Sequence, residues 1–385
     1  MASRLNSPLV VVLLVATLVG LFVLGRLHQG GFDLSSFIVA GDQFSNPTKV
    51  PAGLTVLPNS PGYDGQFYYR LALDPLTAKA TDFGITLDTP PFRQQRILYP
   101  LVCGIFSAGD PRLLPAVMIL VNVIALCAMA WIGANYARAF DVHALWGAFL
   151  PLHPAFLFSL TRNLVEILEV SLLLGSLLLL RRGRPLLATL SLSLAVLTKE
   201  TALLVAVAAM VAYGWQWWRT TSAGIIRWYY FAVPVALFIL WRGFLSLHWG
   251  SFAAYSSGNS LLGLPFVGPV SFLFEMASFE TKWHRRMFIE LLFLLVFAVG
   301  VAISLRSSKL EPVEKLSWLL YAMLAACLSR IIWIEDWGFF RALAQFCGLG
   351  TLILLAGDLK VRAGVFACSG LLWVYLFERF MRHYS

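Results

Sequence analysis

The sequence predicts an all-α polytopic membrane protein, a single integral membrane domain over residues 1–385, and three observations carry that expectation. Hydrophobic side chains make up 59% of the chain and charged ones 13%, with a mean hydropathy of +0.77, outside the range of soluble domains. Apolar runs of spanning length recur along the sequence. The short polar stretches between them are basic, which is where the positive-inside rule puts Lys and Arg. That pattern also accounts for the net charge of +9, so nucleic acid is excluded as a partner: the cations are flanks of spans, not one patch.

Taken in order, MASRLNSPLVVVLLVATLVGLFVLGRLHQGG combines a basic start with an apolar run, and no small-residue cleavage site follows Leu24. It reads as an uncleaved signal anchor whose N-terminus is cytoplasmic. Further spans are expected near 112–135, 143–160, 164–180, 185–199, 201–218, 228–247, 287–305, 316–334, 341–357 and 362–379, about eleven in all by the length criterion. With that start, the inner loops hold Arg181-Arg182-Gly183-Arg184, Arg219 to Arg227, Arg306 to Lys315 and Lys360 to Arg362, all basic as required. Loops 26–111 and 248–286 are then external, facing the periplasm if the membrane is a bacterial inner membrane. Cys103, Cys127, Cys327, Cys347 and Cys368 form no CxxC pair and read as small buried hydrophobes. There is no internal repeat.

Arg162, Glu166, Lys199, Glu200, Arg242, Arg330, Glu335, Asp336 and Arg341 fall at the expected outer ends of spans. Ionisable groups there are costly and commonly face a bundle interior or water, so they are candidates for one shared cavity. The plainer reading is headgroup anchoring and mutual ion pairing.

The first external loop has the sharper pattern. It contains GYDGQFYYRLALDP (62–75) and then PPFRQQRILYPLV (90–102). Arg93 and Arg96 are three apart and share a face of a short helix, and the Tyr99-Pro100 segment suits an amphipathic helix in the membrane interface. A carboxylate and two arginines thus meet at headgroup depth. Sugar transfer outside the cytoplasm draws on lipid-linked donors. It needs a base for the acceptor hydroxyl, for which Asp64 is suited, and cations for the departing phosphate. Asp64 also fits a plain helix N-cap, with an incomplete capping box because Phe67 stands at the third position. Asp33 and Asp42 are rival bases in the same loop, Asp42 the better placed, and His153 reads as a helix-end residue.

Tyr63-Asp64-Gly65-Gln66-Phe67-Tyr68 resembles the first-loop motif of polyprenyl-phosphate-sugar-dependent glycosyltransferases of the GT-C fold. The branch it looks most like contains the second mannosyltransferase of GPI-anchor assembly, with its Trp-Asp-Gly-x-x-Tyr pattern, and bacterial cell-surface glycopolymer formation proteins. Arg96-Ile97-Leu98-Tyr99-Pro100 resembles that branch's aromatic-Pro-Leu-Tyr-Pro element. His153-Pro154 with Thr161-Arg162, and Leu197-Thr198-Lys199-Glu200-Thr201, resemble elements of its third to sixth helices. Tyr63 departs from the family's Trp, and Lys199-Glu200 from the Arg-Ser-Asn of the eukaryotic branch.

The resemblance implies a GT-C-type bundle with short interfacial helices in loop 26–111, and Asp64 as catalytic base of an inverting hexosyl transfer, with Asp42 as the alternative base. The donor is a polyprenyl-phosphate-linked sugar, the acceptor a glycan or lipid, and membrane lipid surrounds both. Candidate substrate-binding residues are Tyr63, Gln66, Tyr68, Arg93, Arg96, Tyr99, Arg162, Lys199, Glu200, Arg242, Arg330, Glu335 and Arg341. No cofactor is required: no tight acidic cluster accompanies Asp64, and Glu335-Asp336 is where a divalent metal could bind. A lipid-linked-sugar flippase or a non-catalytic partner in glycopolymer assembly are the other classes. Transporters, however, place polar residues near midplane and often carry inverted repeats.

Overall fold

The structure, a computed structural model, describes residues 6–220, 226–250, 261–307 and 309–381. Positions 251–260, within the loop 248–286 expected outside, 221–225, within the loop expected inside, and 382–385 of the C-terminal tail lie outside the described residues.

Helix α1 (Pro8–Gln29) begins where Ser7 accepts a hydrogen bond from the Leu9 amide and Pro8 takes the first helical position, both ordinary N-terminal signals. The chain then leaves the bundle for a long excursion. It holds a parallel pair β1 (Ala40–Gly41) and β2 (Val56–Leu57), helix α2 (Gly65–Leu73), an antiparallel pair β3 (Thr81–Asp82) and β4 (Ile85–Thr86), and helices α3 (Pro90–Gln94) and α4 (Leu98–Phe106). The chain returns through α5 (Leu114–Ala139), α6 (Pro154–Leu160), α7 (Glu166–Arg181), α8 (Pro185–Thr198), α9 (Leu203–Thr220) and α10 (Ala232–Trp249). After these come α11 (Val267–Met276), α12 (Lys282–Ser304), α13 (Pro312–Ala326), α14 (Arg330–Trp333), α15 (Asp336–Ala342), α16 (Ala344–Ala356) and α17 (Leu359–Met381).

The protein is an all-α polytopic integral membrane protein. Among the described residues, six helical segments are long and apolar enough to cross a membrane: Pro8–Gln29, Leu114–Ala139, Glu200–Arg219, Trp228–Trp249, Lys282–Ser304 and Leu359–Met381. The pair α15 and α16, bent by 60° at Leu343, makes up to seven. The expected span 143–160 is a 3₁₀ helix, Ala144–Phe149, followed by α6. Pro151 and Pro154 remove two backbone donors there, and His153 restarts the helix by accepting the Ala155 amide on Nδ1 at 3.3 Å. The expected span 316–334 ends at Ala326, because Leu328 turns aside to bridge Leu262.

Two hydrophobic cores organise the molecule. The larger one fills the helical bundle. The smaller one belongs to the excursion, where Phe67, Tyr68, Leu71, Tyr99 and Cys103 pack against Leu114, Met118 and Val121 of α5 and against Leu164 and Val165. Loop 26–111 is therefore a folded cap with its own interior. Phe67, Tyr68 and Leu71 are buried in that interior and so seat α2 against α5. On α4 the outward face carries exposed Leu101, Ile105 and Phe106, an apolar face fit for an interface.

Candidate functional site

Asp64 stands at the first turn of α2, but its side chain makes no capping hydrogen bond. The plain N-cap reading is thus set aside, and the carboxylate is turned to other partners. Gly65 explains how α2 comes so close to the bundle: a Cβ there would lie 2.4 Å from the Arg162 carbonyl oxygen and 2.6 Å from that of Ile38. The glycine permits approach of backbone to backbone, not of backbone to substrate.

Asp64 Oδ2 lies 2.7 Å from Arg93 Nη1 and accepts a hydrogen bond from Arg341 Nη2. Arg93 is held from behind by Asp88, Nε to Oδ1 at 2.7 Å and Nη2 to Oδ2 at 2.6 Å. Arg341 donates from Nε to Glu166 Oε1 at 3.0 Å, and Lys199 Nζ donates to that same oxygen at 3.0 Å. Beside this chain, Arg96 forms a two-pronged pair with Glu200, Nε at 3.0 Å and Nη2 at 2.6 Å, while its Nη1 reaches the Tyr68 hydroxyl at 3.4 Å. Asp64, Asp88, Glu166 and Glu200 are thereby matched by Arg93, Arg96, Lys199 and Arg341. Such a buried alternation is strongly perturbed by loss of any one member, which leaves a charge uncompensated.

Burial alone would raise the Asp64 carboxyl, but the guanidinium groups of Arg341 and Arg93 override it and hold the acid well below the usual carboxylate range. Asp64 is ionised at neutral pH, and Oδ1 accepts no hydrogen bond from the described residues.

Several expected residues join this cluster and several do not. Arg162 stacks its guanidinium 4.4 Å from the Trp337 ring centre and 5.3 Å from that of Tyr63, at the edge of the cluster. Arg242 donates to the Gln95 side chain, next to Arg96. Gln66 is fully buried and builds the cap instead: Oε1 accepts from the Gly41 amide and Ser45 Oγ, and Nε2 donates to the Pro61 carbonyl. Tyr99 is likewise interior, donating to the Met118 carbonyl and accepting from Asn122. Both are fully buried, with their polar groups engaged inside the fold.

Arg330 pairs with Glu275 in an exposed position, and exposed Glu335 accepts from the Trp337 indole. Both lie outside the cluster because α14 ends before the bent pair begins. Asp336 binds Arg379. Asp42 is exposed and spends its oxygens on the Asn59 and Ser60 amides at 2.8 and 3.0 Å, which also lower its pKa. Asp33 is a turn-builder too, accepting from Ser35 and Thr55.

No protein-family model, curated protein or solved structure matches the chain. The assignment of chemistry therefore rests on the residues themselves.

Sequence reasoning left out Asp88, whose pairing with Arg93 is local and was signalled by the Asp-Thr-Pro-Pro approach to α3. It also left out Trp337 and Arg379, which stack together at 4.5 Å; Trp337 directly follows the Glu335-Asp336 pair, and Arg379 lies near the end of α17. Next to the cluster runs an apolar groove of about 450 Å³, lined by Leu76, Ile97, Leu101, Leu197, Leu240 and Phe244 among others. Ile97 follows Arg96, and Trp241 of the same groove precedes Arg242. Among the described residues no group of three His, Cys, Asp or Glu side chains converges on one point.

Proposed function

We propose that the protein is a membrane glycosyltransferase of GT-C type that moves a sugar, with inversion, from a polyprenyl-phosphate donor to an envelope glycan or lipid acceptor. The observation that carries this reading is the meeting of Asp64, free of any capping role, with Arg93 and Arg341. A carboxylate and a group of arginines side by side are the two requirements of the reaction. Asp64 takes the proton of the acceptor hydroxyl. The acceptor oxygen then bonds to the anomeric carbon as the bond from that carbon to the phosphate oxygen breaks, and the electron pair leaves with the polyprenyl phosphate. Guanidinium groups stabilise the charge gathering there. The apolar groove beside Arg96 and Arg242 supports the same reading, as a seat for the first isoprene units.

In this proposal the cap 26–111 and the loop 248–286 face outward, into the periplasm of a bacterial inner membrane. The shorter helices α7, α8, α13 and α16, together with the broken segment 144–160, complete about eleven crossings, tilted or thinned where short. The position of the charges at one end, not at midplane, favours a transferase over a transporter.

Mass spectrometry of envelope glycans from cells with and without the protein tests the function. The expected result is loss of one sugar from one glycan or lipid species in the deletion, restored by the wild-type chain and not by Asp64→Asn. Identical glycan profiles would remove the proposal.

A further inference from the structure

The arginines around Asp64 differ in how firmly each is held. Arg93 uses Nε and Nη2 for Asp88 and Nη1 for Asp64. Arg96 uses Nε and Nη2 for Glu200 and Nη1 for Tyr68. Arg341 touches each of its carboxylates through one nitrogen only, Nε on Glu166 and Nη2 on Asp64, and its guanidinium also hydrogen-bonds the Tyr63 phenol, so it makes no two-pronged pair. Its guanidinium lies 5.4 Å from the Tyr63 ring centre. Two-pronged pairs are the stronger and more directional ones. Of the three guanidiniums, Arg341 is the one an incoming phosphate can draw away at least cost.

Glu166 is built to hold the other end. It stands in the first turn of α7, is completely buried, and binds both Lys199 and Arg341 through Oε1, while Oε2 has no hydrogen-bond partner. It cannot follow Arg341 outward, so the guanidinium must turn about its Nε.

Resting on the transferase reading above, we propose that the donor phosphate binds Arg341 in exchange for Asp64, so that the base is released by the substrate it serves, and that Glu166 is the positioning residue on which Arg341 turns. Before the donor arrives, Asp64 is neutralised by two cations and is a weak base. Once the phosphate holds Arg341, Asp64 keeps Arg93 alone and its proton affinity rises. The charged and titratable groups around it are Arg93, Arg341 and Arg96, the phenols of Tyr63 and Tyr68, and Glu166 behind Arg341. The acceptor is then activated only when a leaving group is in place, which implies that donor binds before acceptor is deprotonated.

The exchange is read by proton counting. Full-length protein in lipid nanodiscs is titrated calorimetrically with polyprenyl monophosphate near pH 5, in buffers of different ionisation enthalpy, for wild type and Asp64→Asn. The phosphate's own protons are common to both. Wild type should take up more protons than the variant, by up to about one per site. Equal counts with binding intact would overturn the exchange and leave a phosphate site standing; no binding by the wild type overturns both the exchange and the donor reading.

Should Asp64→Asn fail to fold, Arg341→Lys serves instead. A lysine cannot bridge Glu166 and a phosphate, so binding should weaken about tenfold and the proton uptake disappear. Glu166→Gln separates positioning from a merely structural role. It should lower kcat about tenfold or more with KM nearly unchanged, since the loss falls on the turned state; a raised KM with unchanged kcat would refute the pivot.

Discussion

Arg341 and Asp64, 277 residues apart in sequence, are joined by a hydrogen bond from the guanidinium to the carboxylate. That contact ties the bent pair α15 and α16 to the cap formed by loop 26–111. It also sets Asp64 apart from a helix cap. A cap residue would spend its oxygens on the amides of its own helix, as Asp42 does on Asn59 and Ser60. Asp64 instead turns Oδ2 to two arginines, Arg93 of the same cap and Arg341 of the bent pair.

The first prediction concerns these two aspartates. Asp64→Asn keeps the shape of the side chain but cannot take a proton, and it should lower transfer by at least about 100-fold while the protein still accumulates. Asp42→Asn should leave turnover near normal and lower the melting temperature, because two loop amides lose a charged acceptor. Turnover of both purified variants with a polyprenyl-phosphate sugar checks this. Activity kept by Asp64→Asn and lost by Asp42→Asn would reverse the assignment.

Much of this was legible in sequence, and the reasons are local. The polytopic class follows from hydropathy, and Asp64, Arg93 and Arg96 could be singled out because they lie in one polar loop between apolar runs. Their partners were only partly legible. Glu166, Lys199, Glu200 and Arg341 stood out as charges near span ends, but no periodicity says that Arg341 meets Asp64. Gln66 and Tyr99 share a motif with Asp64 and were assigned with it. They belong to the interior because the loop carries its own core, which alternation of polar and apolar residues over a few short helices does not announce. Arg330 and Glu335 lie outside the cluster, exposed, for a geometric reason: the helix expected over 316–334 stops at Ala326, and the chain beyond it leaves both on the surface.

The arginines divide accordingly. Arg341→Ala removes a cation from both Asp64 and Glu166, and should abolish transfer with some loss of stability, since two buried carboxylates lose a partner. Arg330→Ala breaks an exposed pair with Glu275 and should change activity by less than about twofold. The same transfer assay on the two variants distinguishes them, and equal impairment would mean that the outer charges act as one field and not through these contacts.

Gly65 gives a prediction about stability alone. Alanine there would push its Cβ against the Arg162 and Ile38 carbonyl oxygens at 2.4 and 2.6 Å. Both are backbone atoms and neither can swing aside, so the cost should approach the upper end of the overpacking range, about 3 kcal/mol. Thermal unfolding in detergent should show Gly65→Ala well below wild type, while Gly20→Ala, with open space around it, should be unchanged. A melting temperature unaltered by Gly65→Ala would show that the cap can move away from the bundle.

Orientation is tested by reporters. With basic short loops inside, a fusion in the cap after Gly62 should be active only with a reporter that works outside the cytoplasm, and one in the Arg181 to Arg184 turn only with a cytoplasmic one. Cytoplasmic activity at Gly62 would remove the need for a lipid-linked donor, because nucleotide sugars are available on that side.

The last prediction concerns pH. The folded pKa of Asp64 is depressed by Arg341 and Arg93, so its ion pairs contribute stability that is fully present above the unfolded value of about 4 and is lost as pH falls toward the folded value. Wild-type protein should therefore melt at progressively lower temperature below about pH 4, and Asp64→Asn should show a shallower decline. Activity should separate the free and donor-bound states in the same experiment. In kcat/KM, which reports the free enzyme, Asp64 stays ionised throughout the neutral range and should produce no acid limb there. In kcat, which reports the complex, a phosphate drawing Arg341 away raises the proton affinity of Asp64, and the acid limb should move to higher pH. Coincident acid limbs in the two profiles would mean that Arg341 remains on Asp64 throughout turnover, with Oδ1 acting as a permanently weak base.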